Sequence, residues 1–317
     1  MNKPSLFIAG NSKSGTTALH SFLSQHPDIF MSVPKEPNYF AKDFCHDTDP
    51  QRCFYRRTEA EYLELFAPAR PHQVCGEASA CYIYSSVAAA EIAQFNPNAK
   101  LIFILREPVS FLRSYHLQLL KNTPQDGETV KSFEKALALE PERKQGQKIP
   151  PKCLIPEFLY YGDRVKYTEQ LQRFYHHFDP EQIKVFIYDD WISDNRTIYT
   201  EILQWVGVDT AYQPAFDTHN KGGVQVKSKA LQELVADVSH GKGVFAPAKQ
   251  LVATVLPQEK RRAAVDWAYN NLAFAQANPL DPDLKRRLKQ TFLPEVVALE
   301  QLLDRDLVTL WGYDEVA

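Results

Sequence analysis

Eight consecutive residues, Gly10-Asn11-Ser12-Lys13-Ser14-Gly15-Thr16-Thr17, combine two glycines, a lysine and a row of small polar side chains. Such a composition suits a phosphate or sulfate group. Amides in a tight glycine-containing turn and the positive end of a following helix attract an anion, and Lys13, Thr16 and Thr17 add a cation and two hydroxyl donors. Ser14 and Gly15 complete the turn. The nucleoside-triphosphate loop needs G-x-x-x-x-G-K-[ST], with the lysine after the second glycine; here Lys13 precedes Gly15, so that pattern fails on order. A second place for an anion follows Leu101–Leu105, where Arg106 stands at the end of an apolar run and Ser114 lies eight positions later. A forked cation and a hydroxyl in the first turns of a helix can converge on one phosphate.

These residues need a frame. Apolar runs with the character of buried strands occur at Leu6–Ala9, Val74–Cys75, Leu101–Leu105 and Val185–Tyr188, with helical spacing between them. The alternation predicts a central parallel sheet covered by helices. The first run enters the small-residue loop, and Ala18, Leu19, Phe22 and Leu23 then mark a helix face. Pro108 suits the first position of a helix carrying Phe111, Leu112, Tyr115 and Leu119. Between Asn122 and Pro156 the chain turns polar and proline-rich, which predicts a surface excursion near the mouth of a site. Residues 224–295 read as a helical annex or lid within a single domain of 1–317.

With 317 residues, 44% of them hydrophobic, the chain can bury a substantial core. Its net charge of −3 gives no overall attraction to nucleic acid. Five cysteines without a C-x-x-C pair indicate neither a disulfide framework nor a zinc site, and no metal is expected. No run of about eighteen apolar residues occurs, and Leu6–Gly10 is too short for the apolar region of a signal peptide. A cytoplasmic protein without membrane insertion is the expectation; oligomeric state is not legible.

Lys13-Ser14-Gly15-Thr16-Thr17-Ala18-Leu19, followed by Phe22-Leu23 and His26-Pro27, resembles the phosphosulfate-binding loop of sulfotransferases, most closely the branch of bacterial and glycan enzymes. Arg106 and Ser114 match the spacing of the family's 3′-phosphate motif, and His219-Asn220-Lys221-Gly222-Gly223 is similar to its lysine–glycine loop that closes over the donor. The resemblance implies a three-layer, P-loop-like α/β fold with a helical C-terminal third. It implies 3′-phosphoadenosine 5′-phosphosulfate as donor and adenosine 3′,5′-bisphosphate as product. Lys13 then steadies the leaving group, Ser14, Gly15, Thr16 and Thr17 hold the 5′ side, Arg106 and Ser114 hold the 3′-phosphate, and Lys221 and Gly222 close over it. Glu36, two residues before an aromatic pair, takes the place of the glutamate beside the acceptor hydroxyl.

Attack by a hydroxyl on sulfur requires removal of its proton, and rings such as Tyr39 and Phe40 raise the pKa of a nearby carboxylate toward a useful range. Two positions depart from the glycan branch, Asn38 where a histidine is frequent and Ala78 where a lysine is. Glu77 follows the Val74–Cys75 strand, where α/β sites open, and is a second candidate for positioning Lys13 or the acceptor. His20, His26, His46 and His116 are available to assist. The acceptor is open among small molecules, glycans, lipids and acyl chains. Two rival readings remain. One is a P-loop kinase or NTPase, with Asp189 and Asp190 after an apolar strand as metal-binding acids. The other is a nucleotide-binding scaffold that has lost the chemistry.

Overall fold

The computed structural model describes residues 2–44, 58–121, 127–151, 153–216 and 278–316, together with the backbone of 224–226 and 274–276. Its centre is a five-stranded sheet made of β1 (Leu6–Gly10), β2 (Ile29–Met31), β3 (Val74–Ala78), β4 (Lys100–Leu105) and β5 (Ile183–Ile187), in the order β2-β3-β1-β4-β5. All four pairings are parallel. Strands buried on both faces read as continuous apolar runs, which is why β1 and β4 are visible in the sequence.

Side-chain alternation along these strands builds two cores. Phe7 and Ala9 of β1 with Leu101, Phe103 and Leu105 of β4 face one side. There they meet α3 (Ala88–Phe95), α4 (Pro108–Lys121), α7 (Tyr167–Tyr175) and the long α10 (Pro282–Leu303). Leu6, Ile8, Ile102 and Ile104 face the other side, against α1 (Thr16–Ser24), α8 (Tyr188–Ser193) and α9 (Asn195–Val206). The expected three-layer α/β arrangement is present, and burial on both faces of the sheet supplies the dominant driving force.

Phe292, Val296 and Leu299 of α10 share the core of Phe7 and Phe103, so the end of the chain belongs to the same body as its beginning. Of the segment 224–295 expected to be a helical annex, the described parts are an antiparallel pair, β6 (Val224–Val226) and β7 (Phe274–Gln276), and then the start of α10. The rest of that segment lies outside the described residues. Among the described residues no helix is long and apolar enough to cross a membrane.

The excursion after α4 also differs from a simple surface loop. Two short helices, α5 (Phe133–Ala138) and α6 (Glu140–Lys144), bring a fully buried ion pair under it. The Arg143 guanidinium donates through Nη1 and Nη2 to the two Glu128 oxygens at 2.8 and 3.0 Å. Tyr161 and the amides of Thr129 and Val130 also donate to Glu128. The sequence around it is polar because the segment closes on its own charges, a pattern composition does not distinguish from a solvated loop.

Candidate anion-binding and transfer site

At the carboxyl edge of the sheet β1 bends out of register with β4, between Ile8 and Gly10, and releases the chain into the loop 11–15. Gly15 ends the loop with φ +88°, a left-handed conformation, and a Cβ there would lie 2.5 Å from Trp191 Nε1. Glycine is required on both counts. Helix α1 then begins at Thr16 with no side-chain cap and no acid in its first turn, so its amino-terminal amides and positive end face the loop without a competing carboxylate. Ser14 and Thr16 are buried, and Thr17 is exposed at the start of the helix.

The two clusters singled out in the sequence touch. Arg106, just past β4, donates through Nη1 to the carbonyl of Lys13 at 3.0 Å, and its guanidinium lies 4.6 Å from the centre of the Tyr188 ring. Tyr167 fixes the Arg106 carbonyl by donating to it at 3.0 Å. Lys13 Nζ donates to Gln118 Oε1 of α4 at 3.2 Å. Ser114, buried, lies one turn earlier on that same helix. Burial, then the positive charges of Lys121 and Arg106, lower the Lys13 pKa. A cation whose charge is opposed by burial and by neighbouring cations gains on binding an anion beside it.

Gln118 and Lys121 were not among the expected site residues. They lie four and seven positions after Ser114, and that spacing on a helix already places all three on one face. Trp191 and Tyr188 follow β5 and carry no local signal. Lys221 and Gly222, the expected closing loop, lie outside the described residues, as does His46.

Glu36 sits in the loop after β2, also at the carboxyl edge, with φ +62°. Its amide donates to the Ala78 carbonyl at 2.9 Å, so the backbone is tied to the end of β3. The carboxylate itself is 46% exposed and pairs with Lys35 at 2.5 Å. The aromatic residues that follow turn away into the core: Tyr39 stacks on Tyr62 and Phe40 packs against Phe7. The apolar surroundings expected to raise a carboxyl pKa are found instead at Glu77. That side chain is wholly buried and accepts from Tyr62 at 2.7 Å, Tyr82 at 2.8 Å and Ser79 at 2.6 Å. Burial pushes its pKa up to about 7, against the lowering effect of the three hydroxyl donors and with a further rise from Glu36.

The remaining candidates are engaged elsewhere. His20 Nε2 lies 3.1 Å from the Ser32 carbonyl, and His26 Nε2 lies 2.8 Å from that of Asp209. Burial brings His116 down to about 4, which keeps it neutral beside Tyr161. Asp189 accepts from Trp311 and Asp190 pairs with Arg305. The two acids of the kinase reading thus hold the C-terminal segment. Among the described residues no group of three acidic, histidine or cysteine side chains could hold a metal ion.

The sequence model of the sulfotransferase domain matches residues 3–292. Human bifunctional heparan sulfate N-deacetylase/N-sulfotransferase 3 is 26% identical over 68% of this chain and 24% of its own length. Human heparan sulfate glucosamine 3-O-sulfotransferase 6 is 33% identical over 38% of this chain and 32% of its own length. The chain therefore spans about a quarter to a third of the length of these curated relatives. Among solved structures, a sulfotransferase from Alicyclobacillus acidocaldarius superposes with a TM-score of 0.70 and 25% identity, covering 98% of this chain and all of the other.

Proposed function

The chain belongs to the sulfotransferase domain family, and on that premise we propose that it moves a sulfuryl group from 3′-phosphoadenosine 5′-phosphosulfate to a hydroxyl, or less readily an amine, by in-line displacement. The acceptor oxygen attacks sulfur while its proton passes to Glu36. The bond between sulfur and the bridging phosphate oxygen breaks, and its electron pair leaves with adenosine 3′,5′-bisphosphate. Lys13 meets the charge growing on that oxygen. Ser14, Gly15, Thr16 and Thr17 at the start of α1 hold the 5′-phosphate, and Arg106 with Ser114 holds the 3′-phosphate. Lys221 and Gly222 close over the donor. A sulfuryl group carries one negative charge, so its transfer needs less neutralisation than that of a phosphoryl group, and lysine and helix amides suffice without a metal.

The observation that carries this reading is the hydrogen bond from Arg106 to the Lys13 carbonyl, which joins the two anion-binding clusters across the sheet edge. One ligand bearing a phosphate at each end suits two clusters so joined. The acceptor belongs to the small molecules or glycans, the latter because two relatives are named for heparan sulfate, and the reaction is placed in the cytoplasm.

Calorimetry with adenosine 3′,5′-bisphosphate and with adenosine 5′-phosphate tests the donor assignment. The 3′-phosphorylated nucleotide should bind at least tenfold tighter, about 1.4 kcal/mol, and equal affinities would overturn it. Lys13→Ala should lower turnover about 10²-fold while donor affinity falls far less, because the lysine acts on developing charge.

A further inference from the structure

Glu77 has no role in the displacement described above, yet its surroundings point at the residue that does. Its Oε1 takes the protons of the Tyr62 and Tyr82 hydroxyls and its Oε2 takes that of Ser79. A hydroxyl has a single proton, so each donor committed to Glu77 turns its lone pairs outward. Two of those lone pairs meet the site loop: Ser79 Oγ accepts from the Asn38 amide at 3.0 Å, and the Tyr82 oxygen faces the Phe40 amide at 3.4 Å. Asn38 Nδ2 then donates to the Glu36 carbonyl at 2.8 Å, and the Cys81 thiol donates to Asn38 Oδ1 at 3.0 Å.

Glu36 and Asn38 both hold positive φ, +62° and +53°; asparagine tolerates that state, but a glutamate adopts it only where neighbours impose it. The neighbours that impose it are the Ala78 carbonyl and the hydroxyls whose orientation Glu77 sets. We propose that Glu77 is a positioning residue for Glu36: by drawing the Ser79 and Tyr82 protons to itself it makes both oxygens acceptors for the 38–40 amides, and so holds the Glu36 carboxylate at the sheet edge.

This rests on the reading of Glu36 as the base. The groups that face Glu77 are Tyr62 from α2 (Glu59–Glu64), Tyr82, Ser79 and the Cys81 thiol from the segment after β3, and Glu36 itself, the one charge raising its pKa. A protonated Glu77 keeps one oxygen as acceptor but donates from the other; a proton on Oε2 points at Ser79 Oγ, whose own proton must then leave Glu77 and competes with the Asn38 amide for the space around that oxygen. Ionisation near pH 7 therefore switches the support on as pH rises.

The experiment uses the full chain as wild type, Glu77→Gln, Glu77→Asp and Ser79→Ala, each labelled with carbon-13 at glutamate carboxyls and saturated with adenosine 3′,5′-bisphosphate. In the wild type the Glu36 carboxyl signal should move through an inflection near pH 7 that reports Glu77; Glu77→Gln should abolish it, Glu77→Asp should retain it, and Ser79→Ala should weaken it. Transfer of labelled sulfuryl to N-desulfated heparan and a phenol panel should fall about 10–100-fold in kcat for Glu77→Gln and Ser79→Ala. Bisphosphate affinity should stay within about twofold, and Glu77→Asp should recover part of the rate. A wild-type Glu36 signal with no inflection near pH 7, or wild-type kcat and pH profile in both Glu77→Gln and Ser79→Ala, overturns the proposal. Transfer to no acceptor by the wild type counts against the sulfotransfer reading, while the response of the Glu36 signal near pH 7 still decides the positioning. Should Glu77→Gln fail to fold, Ser79→Ala decides alone, since it removes the link and keeps the carboxylate.

Discussion

Among the described residues, two glutamates have fully buried side chains and opposite surroundings. Glu128, beneath the excursion after α4, is closed by a two-pronged guanidinium, two backbone amides and a tyrosine hydroxyl. Glu77, beneath the site loop, has three hydroxyls and no cation bonded to it. Burial raises the pKa of both, but at Glu128 Arg143, the Val130 amide and Tyr161 outweigh it and the pKa ends below the ordinary value. At Glu77 burial wins, to about 7. Desolvation alone does not decide whether a buried acid is a fixed strut or a titrating group; the charge of its donors does.

Backbone conformation separates the two regions less sharply, since Lys148 of the excursion also holds positive φ, +53°. Among the described residues, Lys13, Glu36 and Asn38 hold positive φ at the carboxyl edge of the sheet. The Glu128 carboxylate has a paired cation, whereas the site edge gathers three such residues and holds cations close together. Strain of this kind persists where surrounding structure over-determines it, and that is where chemistry is placed.

Removing the counter-ion of the fixed acid should give the largest effect. Arg143→Ala leaves Glu128 buried beside no cation and should lower unfolding free energy by about 3–5 kcal/mol, read by chemical denaturation, with bisphosphate affinity of the folded protein preserved. A loss below about 1 kcal/mol, the size of an exposed pair, would mean that Glu128 is not the strut its surroundings indicate.

The titrating acid should show itself in the pH dependence of stability. A carboxyl raised from 4.5 in the unfolded chain to about 7 in the folded one contributes stability fully below the lower value and loses it as pH climbs toward the upper. The loss is on the order of 3 kcal/mol. Glu128, depressed, acts in the other direction: its contribution is present above the ordinary value and disappears as pH falls through the folded one. Subtracting the pH 5 to pH 8 stability change of Glu77→Gln from that of the wild type cancels the common groups, and the wild type should lose more by that amount. Equal changes in the two proteins would erase the distinction between the two acids.

Much of the frame was legible beforehand because it rests on patterns of one period. Strands buried on both faces read as apolar runs, and Phe111, Leu112, Tyr115 and Leu119 mark the buried face of α4. The loop 10–17 and the pair Arg106 and Ser114 were legible because anion binding demands particular residue types at set offsets. Glu77 is marked in the sequence only by its place after an apolar run, since its donors come from positions 62, 79 and 82 and no local pattern brings Tyr62 beneath β3. The buried pair of Glu128 and Arg143 was hidden in the same way, charged residues in a polar stretch being indistinguishable from a solvated face until the partner is known. Glu36 shows the converse: Tyr39 and Phe40 stand close to it in sequence, but neighbouring side chains diverge in a turn, and these rings face the core.

Gly15→Ala tests the strained edge with the smallest change available. At φ +88° an alanine is disfavoured, and its Cβ would meet Trp191 Nε1 at 2.5 Å and Cδ1 at 2.7 Å. Trp191 is buried in the core beneath α1 and contacts Phe22, so it yields only by displacing that helix or the loop. The stability loss should be about 1–3 kcal/mol, no more than at the Arg143 anchor, but the displaced amides at the head of α1 are the ones assigned to the 5′-phosphate. Affinity for adenosine 3′,5′-bisphosphate, measured by calorimetry on the folded variant, should fall at least tenfold, about 1.4 kcal/mol. Arg143→Ala should leave that affinity in place, and the pair of variants separates an edge whose conformation serves a ligand from an anchor whose contacts serve only the fold. Wild-type affinity in Gly15→Ala would remove the head of α1 from the donor site and with it half of the contrast.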